Sequence, residues 1–460
     1  MDIKDLTIQK ALEGYRKKQF SSVDVVTACL ENVGRYNKEY NVLLTVRDEK
    51  DIIEEAKRVD SSLPLGGIPI VLKDLFTTDG VRTTAGSKVL DAYIPPYDAT
   101  VVRKLKDAGA IIIGKANQDA WGHGSSGENS DFGSTKNPFD PSRVPGGSSS
   151  GSAVAVAMGM ALAATGTDTG SSVRLPAAFC NLVGLKPTYG RVSRYGIIAM
   201  ASSFDSVGHL TKTVYDNALI CEITAGKDPF DGTSAEVPVP KYTGKLGKTL
   251  KGVTVGIPKE YFEMKGMDPR INDLTRKALD TMQGLGAQVI DISLPHTNVA
   301  MECYYILVPS EVSSNLARFD GVRFGNGRDE FGAESKRRMM IGTYALSSGY
   351  YDAYYKTASK VRTLIKKDFD DAFATVDVIV APSSPTLPFR IGEKSNDPLA
   401  MYLSDIFVCP VNIAGIPALN VPCGFVDKLP VGIQLIGPQW SEEKLFSIGN
   451  AYELRTNNRH

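Results

Sequence analysis

The sequence predicts an α/β fold, a large mixed or mostly parallel central sheet covered by helices on both faces. Three observations carry this. Short β-branched apolar runs bounded by turn residues recur along the 460 residues. Segments with apolar residues at helical spacing alternate with them. A content of 42% hydrophobic and 23% charged residues is that of a globular chain with ample core.

Taken in order, residues 1–60 read as helical, as in "VDVVTACLENVGRY". "GGIPIVLKDLF" (66–76) is a buried strand ending at Lys73-Asp74, residues 98–108 a helix, and "GAIIIGK" (109–115) a second buried strand. Residues 122–172 hold ten of the 43 glycines, so backbone packs tightly there. After Asp228 the chain loosens into "DPFDGTSAEVPVPKY". "GVTVGIP" and "AQVIDISL" follow as strands around a 270–284 helix. Long helices are predicted over 299–318 and 341–375, strands at "VDVIVAP", "ALNVPCGF" and "VGIQLIGP", and a closing helix over 441–455. The predicted organisation is an N-terminal helical segment, 1–65, packed on a domain of 66–460 that contains a smaller α/β excursion at 225–300.

Composition excludes several classes of function. Lys plus Arg equals Asp plus Glu, 52 each, so nothing favours unaided binding to nucleic acid or membrane. Six scattered cysteines without a CxxC pair fit a reducing compartment and neither a disulfide framework nor a zinc site. "MDIKDLTIQKALEG" lacks a signal peptide's apolar block, and no apolar run reaches the roughly 18 residues of a membrane span. A soluble intracellular protein is expected, in the cytoplasm or in a mitochondrial matrix.

The chemistry concentrates in two serine-rich stretches, PGGSSSGS (145–152) and TGSSVR (169–174), on either side of the alanine-rich run "AVAVAMGMALAA". PGGSSSGS lacks the lysine of a phosphate-binding GxxxxGK[ST] loop, and no GxSxG elbow is present in the required context. Of the four histidines, His123 and His209 leave a Ser-His-Asp triad open, and none is spaced as a metal ligand. A serine–lysine system is the remaining kit: burial lowers a lysine pKa and makes it a base for a hydroxyl. Lys73 closes an apolar strand, where desolvation is plausible. Alone, VLKD reads better as a lysine snorkelling to solvent. Gly146-Gly147 before Ser148 permits backbone shapes closed to other residues, and Gly170 lets successive N–H groups converge. Both loops read equally well as tight turns around a buried helix.

The order of motifs decides between these readings. VLKD, "GSSGENSDFG" (124–133), "NPFDPSRVPGGSSSGSAVAVA", "GTDTGSSVRLPAAFCNLVGLKPTYGRVS" and "FDSVGHLTKTV" follow one another without gaps of note. Over about 65–225 the chain resembles the amidase signature family. The resemblance implies the amidase signature fold and a Ser–Ser–Lys triad: Ser172 as nucleophile, Ser148 as a bridging serine in a cis peptide, Lys73 as base. Backbone N–H groups from Thr169, Gly170, Ser171 and Ser172 would form the oxyanion hole, and Asp168 and Arg174 would brace the loop. Two positions depart from the family pattern. Ser171 stands where TGGS has its second glycine; if that glycine serves a positive φ, the serine would be strained by roughly 1 kcal/mol or more. His123 stands where close relatives carry Met and is expected to alter the pocket wall.

"PSEVSSNLARFDGVRFG", "SKRRMMIGTYALSSGYYDAYYKTASKVRTLI" and "YLSDIFVCPVNIAGIPALNVPCGF" are similar to the branch of that family that provides the glutaminase of tRNA-dependent amidotransferases. The resemblance then covers nearly the whole chain, with 326–332 abbreviated. It implies glutamine as substrate, Arg338 for its α-carboxylate, Asp405 for its α-ammonium, and Tyr304 as a pocket wall or hydrogen-bond donor. Without it, Arg338 reads as part of a solvated "KRR" helix face. The same resemblance implies that this chain binds no metal, nucleotide or other cofactor. The amidating partner, the B subunit of such enzymes, uses ATP and Mg²⁺ and would carry the tRNA contact; a small third subunit would wrap the pair. A stand-alone amidase of small amides and a catalytically disabled assembly scaffold are the rival readings.

Overall fold

The computed structural model describes residues 3–323, 325–395 and 397–456. Among these, eleven strands form one mixed sheet. In chain order they are β1 (Leu43–Val46), β2 (Pro69–Lys73), β3 (Ile111–Ala116), β4 (Ala163–Asp168), β5 (Val183–Lys186) and β6 (Ser206–Thr211). Then come β7 (Thr254–Pro258), β8 (Gln288–Ile292), β9 (Val378–Pro382), β10 (Ala418–Val426) and β11 (Leu429–Ile436). The spatial order is β1-β3-β2-β4-β6-β5-β10-β11-β9-β7-β8. Parallel pairing is confined to β3-β2-β4 and β9-β7-β8; the remaining pairs are antiparallel, so the sheet is mixed rather than mostly parallel.

Alternation along the central strands explains why both faces are covered. Ile70 and Leu72 of β2 enter one hydrophobic cluster while Val71 enters another. Ile112 of β3 likewise parts from Ile111 and Ile113. Successive side chains of a strand point to opposite faces, so a strand apolar throughout needs a core on each side. The helix Ser150–Ala157, the expected spacer between the serine loops, packs in the second cluster.

Three local expectations are corrected. The first 60 residues fold as helices Ile8–Arg16, Ser22–Tyr40 and Glu49–Arg58, but β1 interrupts them. Asn41 ends the second helix at φ 52°, and the Asn37 side chain accepts the N–H groups of Val42 and Leu43, which turns the chain into the sheet edge. The long helix predicted over 341–375 is two helices, Ala333–Ala345 and Thr357–Phe373, with a π-helical turn at Asp352–Lys356. Ser347-Ser348-Gly349 breaks it, Gly349 lying at φ 88°. Finally, β4, β5 and β6 lie in stretches that carry no strand signal beside their glycines and polar residues.

The fold positions the site simply. β2, β3 and β4 are parallel, so their C-terminal ends lie at one edge. β6 is antiparallel to β4 and begins there, Ser206 opposite Asp168. That edge, outside the carboxyl ends of parallel strands, is where open α/β sheets place ligands.

Candidate active site

Lys73, the last residue of β2, is fully buried. Its Nζ lies 2.7 Å from Ser148 Oγ and 2.9 Å from Thr167 Oγ1, and its backbone N–H donates to Thr165 Oγ1 at 3.0 Å. Burial pushes its pKa down to about 7; the carboxylates of Asp119, Asp168 and Asp205 oppose the shift without cancelling it. A lysine with this environment is neutral for part of the time near pH 7 and can accept a proton.

Ser148 follows a cis peptide bond, Gly147–Ser148. Gly146 takes φ 78°, and a Cβ on Gly147 would sit 2.2 Å from Asp119 Oδ2, so this turn admits no larger residue without moving that carboxylate. Asp119 accepts the N–H groups of Gly127 and Asn129 and holds the 124–133 segment over the turn. The two serine loops are joined directly: Ser149 N–H donates to the Ser172 carbonyl at 3.2 Å. Ser148 and Ser172 are both buried, and the structure brings Lys73, Ser148 and Ser172 to one edge of the sheet.

The loop after β4 is tied on both sides. Arg174 pairs bidentately with Asp168, at 3.0 Å from Nε and 3.0 Å from Nη2, and also donates to the Gly170 and Val408 carbonyls and the side chains of Gln434 and Asn412. Both partners are fully buried, and the two parallel hydrogen bonds fix the shape of the loop. Thr169 Oγ1 donates to Asp205 Oδ1 at 2.7 Å, and Asp205 also accepts the N–H groups of Met200 and Ala201. None of the N–H groups from Thr169 to Ser172 is used in a backbone hydrogen bond among the described residues, so the segment offers consecutive free donors of the kind an oxyanion needs. Ser171 does not occupy positive φ; the strain its departure from TGGS would imply is absent. Space at Gly170, not φ, demands glycine: a Cβ there would lie 2.7 Å from the Tyr304 hydroxyl.

A second group of side chains faces this loop. Helix Ala300–Asn315 carries buried Tyr304, and helix Ala333–Ala345 packs on it. The helical period turns Ser335 and Arg338 inward while Lys336 and Arg337 stay exposed, so the "KRR" face is not uniformly solvated: Arg338 is only 2% exposed. Its Nε donates to Glu334 Oε1 at 2.8 Å, and its guanidinium lies 5.4 Å from the Tyr305 ring centre. Arg338 Nη1 and Asp405 Oδ1 are both buried and lack a partner among the described residues. Burial pushes the Asp405 carboxyl up to about 7, against the pull of the Ser171 hydroxyl, the Arg338 charge and the Ser125 hydroxyl. A cavity of 130 Å³ lined by Gly124, Ser125, Tyr305, Arg338 and Tyr402 lies beside them. A buried donor of positive charge and a buried acceptor of negative charge, each unsatisfied, suit a ligand bearing both opposite charges.

Sequence reasoning misses Thr167, Asp119 and Asp205. Thr167 and Asp205 lie within the quoted motifs, Thr167 near the end of β4 and Asp205 immediately before β6, and their position at this edge of the sheet is the signal that points to them. Neither His123 nor His209 completes a triad. His209 bonds Thr224 at 2.8 Å and is pushed down to about 3 by burial, and His123 bonds Ser335. Among the described residues, no group of three or more His, Cys, Asp or Glu side chains is placed to hold a metal ion, and no helix is long and apolar enough to cross a membrane.

The profile of the Amidase family matches residues 24–446. The A subunit of the glutamyl-tRNA(Gln) amidotransferase of Geobacter metallireducens is 51% identical over 99% of this chain and 98% of its own length. That of Moorella thermoacetica is 49% identical over 99% and 98%. Among solved structures, the A subunit of the Thermotoga maritima glutamyl-tRNA(Gln) amidotransferase superposes with a TM-score of 0.88 at 40% identity, covering 99% of this chain and 96% of that one. The peptide amidase of Stenotrophomonas maltophilia superposes at 0.83 with 30% identity, covering 100% and 98%.

Proposed function

The chain belongs to the amidase family, and from that premise we propose that it is the glutaminase subunit of a glutamyl-tRNA(Gln) amidotransferase. It hydrolyses glutamine and supplies ammonia to a partner subunit that converts glutamyl-tRNA(Gln) to glutaminyl-tRNA(Gln). The observation that carries the glutamine reading is the pair of unpartnered opposite charges, Arg338 Nη1 and Asp405 Oδ1, beside the Lys73–Ser148 hydrogen bond. The names of the 49–51% identical relatives, A subunits of glutamyl-tRNA(Gln) amidotransferases, support membership of a multi-subunit enzyme that acts on glutamyl-tRNA(Gln).

In the mechanism that follows, neutral Lys73 takes the Ser148 proton while Ser148 takes that of Ser172. Ser172 Oγ attacks the carboxamide carbon, and the N–H groups of Thr169–Ser172 receive the oxyanion. As the C–N bond breaks, the proton returns through Ser148 to the leaving nitrogen, and ammonia departs. Water then enters by the reverse relay, cleaves the acyl-enzyme and releases glutamate. Arg338 holds the α-carboxylate and Asp405 the α-ammonium, with Tyr304 as wall against Gly170. The ATP- and Mg²⁺-dependent amidation belongs to the B subunit, which also carries the tRNA; a small third subunit completes the complex, in the cytoplasm or, in a eukaryote, the mitochondrial matrix. A net charge of zero suits a protein that leaves the nucleic acid to its partner. Ser171, unstrained, gives no reason to read the site as disabled.

Ser148→Ala removes the middle of the relay, and a water can replace its hydroxyl in part. Glutaminase turnover is expected to fall about 10²- to 10⁴-fold. A variant as active as the parent would send the base assignment elsewhere.

The test of glutaminase against general amidase is selectivity. A site built to pair two charges leaves both unpaired with a simple amide, and such sites reject the lacking analogue by about 10⁴-fold. Glutamine is therefore expected to be hydrolysed far better than propionamide. Arg338→Ala and Asp405→Asn should each lower kcat/KM for glutamine about 10²- to 10³-fold, largely through KM, while propionamide turnover changes much less. Equal losses for both substrates would favour a stand-alone amidase.

A further inference from the structure

His123 has no task in the relay, yet it is fully buried in the wall of the site. Its Nδ1 lies 3.1 Å from Ser335 Oγ, and its Nε2 has no partner among the described residues. Ser335 precedes Arg338 by three positions on helix Ala333–Ala345, so the two share a face. The backbone on either side of His123 borders the site. A Cβ built on Gly122 would be 3.6 Å from Ser148 Oγ, and Gly124 and Ser125 line the cavity that Arg338 also lines. His123 thus follows a residue beside the bridging serine, precedes two that share a cavity with Arg338, and lies close enough to Arg338 to feel its charge. Nε2 and Arg338 Nη1 are both orphaned and are not bonded to each other, so each is free for a third group.

We propose that His123 donates its Nε2–H to the α-carboxylate of the substrate, beside Arg338. This rests on the amino-acid pocket proposed above. In this assignment the Ser335 hydroxyl is the donor to Nδ1, 3.1 Å away, which places the single ring proton on Nε2. Burial and the neighbouring Arg338 charge hold the imidazole well below its usual pKa, so the donor is a neutral ring. A carboxylate accepts at about four lone-pair positions and takes a guanidinium and an imidazole N–H together. One ligand group then satisfies two buried donors that are costly to leave unpaired. The histidine adds specificity for the acid end that an apolar residue at this position cannot.

The test compares glutamine with its two truncated analogues in the holoenzyme: 4-aminobutanamide, which lacks the carboxylate, and glutaramate, which lacks the ammonium. His123→Met is expected to lower the selectivity for glutamine over 4-aminobutanamide about 10- to 100-fold, with a KM rise for glutamine and glutaramate that exceeds any change in kcat. His123→Gln, which restores an N–H donor at similar reach, should recover much of that selectivity. Ser335→Ala, which leaves the ring in place but frees its tautomer, should lower it several-fold and serves if His123→Met does not fold. Unchanged selectivity in His123→Met and Ser335→Ala overturns the proposal, as does a KM rise shared by glutamine and 4-aminobutanamide that spares glutaramate, the signature of a contact to the ammonium. A parent enzyme with no preference for glutamine over 4-aminobutanamide overturns the amino-acid pocket as well. A strong parental preference that these variants leave intact refutes the His123 contact alone.

Discussion

Ser172→Ala is expected to lower glutamine-dependent amidation by about 10⁴- to 10⁶-fold, because the covalent route through the acyl-enzyme no longer exists. The change removes one oxygen from a loop held by other groups: Arg174 to Asp168, Thr169 to Asp205, and Ser149 to the Ser172 carbonyl, which alanine retains. The fold and the assembly should therefore survive. Free ammonium supplied to the complex should support amidation at the parental rate, since the variant loses only its source of ammonia. Loss of both activities together would mean a misplaced nucleophile or a damaged structure. An electrophilic amide or phosphonate probe gives an independent reading: it should label the parent at Ser172 and leave the variant unmodified.

Lys73→Arg is expected to be nearly as severe, about 10⁴-fold, because a guanidinium stays protonated at every working pH and cannot take the serine proton. Arginine is larger than the fully buried site was built for, so Lys73→Met, of similar volume, is the companion variant, and ammonium-dependent amidation again reports whether the fold is intact. The pH profile of the parent carries the same information without a mutation. Only neutral Lys73 acts as base, so hydrolysis should rise with pH through about 7 and level off above it, far below an unperturbed lysine near 10.4. Asp405, pushed up to about 7, adds a second rise in the same direction for glutamine, since only the carboxylate pairs with the α-ammonium. A simple amide never meets that charge and should show the Lys73 ionisation alone. Full activity in Lys73→Arg, or a glutamine profile flat from about pH 5 to 9, would exclude the serine–lysine mechanism.

Much of this site is legible in the sequence because its parts are local. An apolar run closing on Lys73, glycines before Ser148 and within TGSSVR, and an alanine-rich helix between the loops are features of a few consecutive residues. Most are realised: β2 ends at Lys73, the Gly147–Ser148 peptide is cis, and Ser150–Ala157 is a buried helix. That helix covers only the first part of the alanine-rich run, whose Ala163 and Ala164 already belong to β4. The failures are non-local. A glycine pattern implies strain at Ser171, but the φ of that residue is set by how the loop is tied to Asp205 and Arg174, and it is not positive. The 341–375 apolar pattern is continuous through a tyrosine-rich stretch whose rings are partly exposed rather than packed, and the break at Gly349 outweighs it.

The sequence by itself determined the α/β class and the loops that carry the site, and its motif order, through the family resemblance, the residues proposed for the relay. Periodicity and turn chemistry act over a few residues and are written where they act. Only the tertiary structure decided that Lys73 Nζ meets Ser148 and Thr167, 75 and 94 positions away. It also decided that Asp205 braces Thr169, and that Arg338, of three adjacent basic residues, is the one turned inward. Those outcomes follow from which strands pair, in what register, and which helix face packs on Ala300–Asn315. Register and packing face are chosen by burial summed over the whole sheet, a quantity to which no short stretch of residues contributes enough to reveal it.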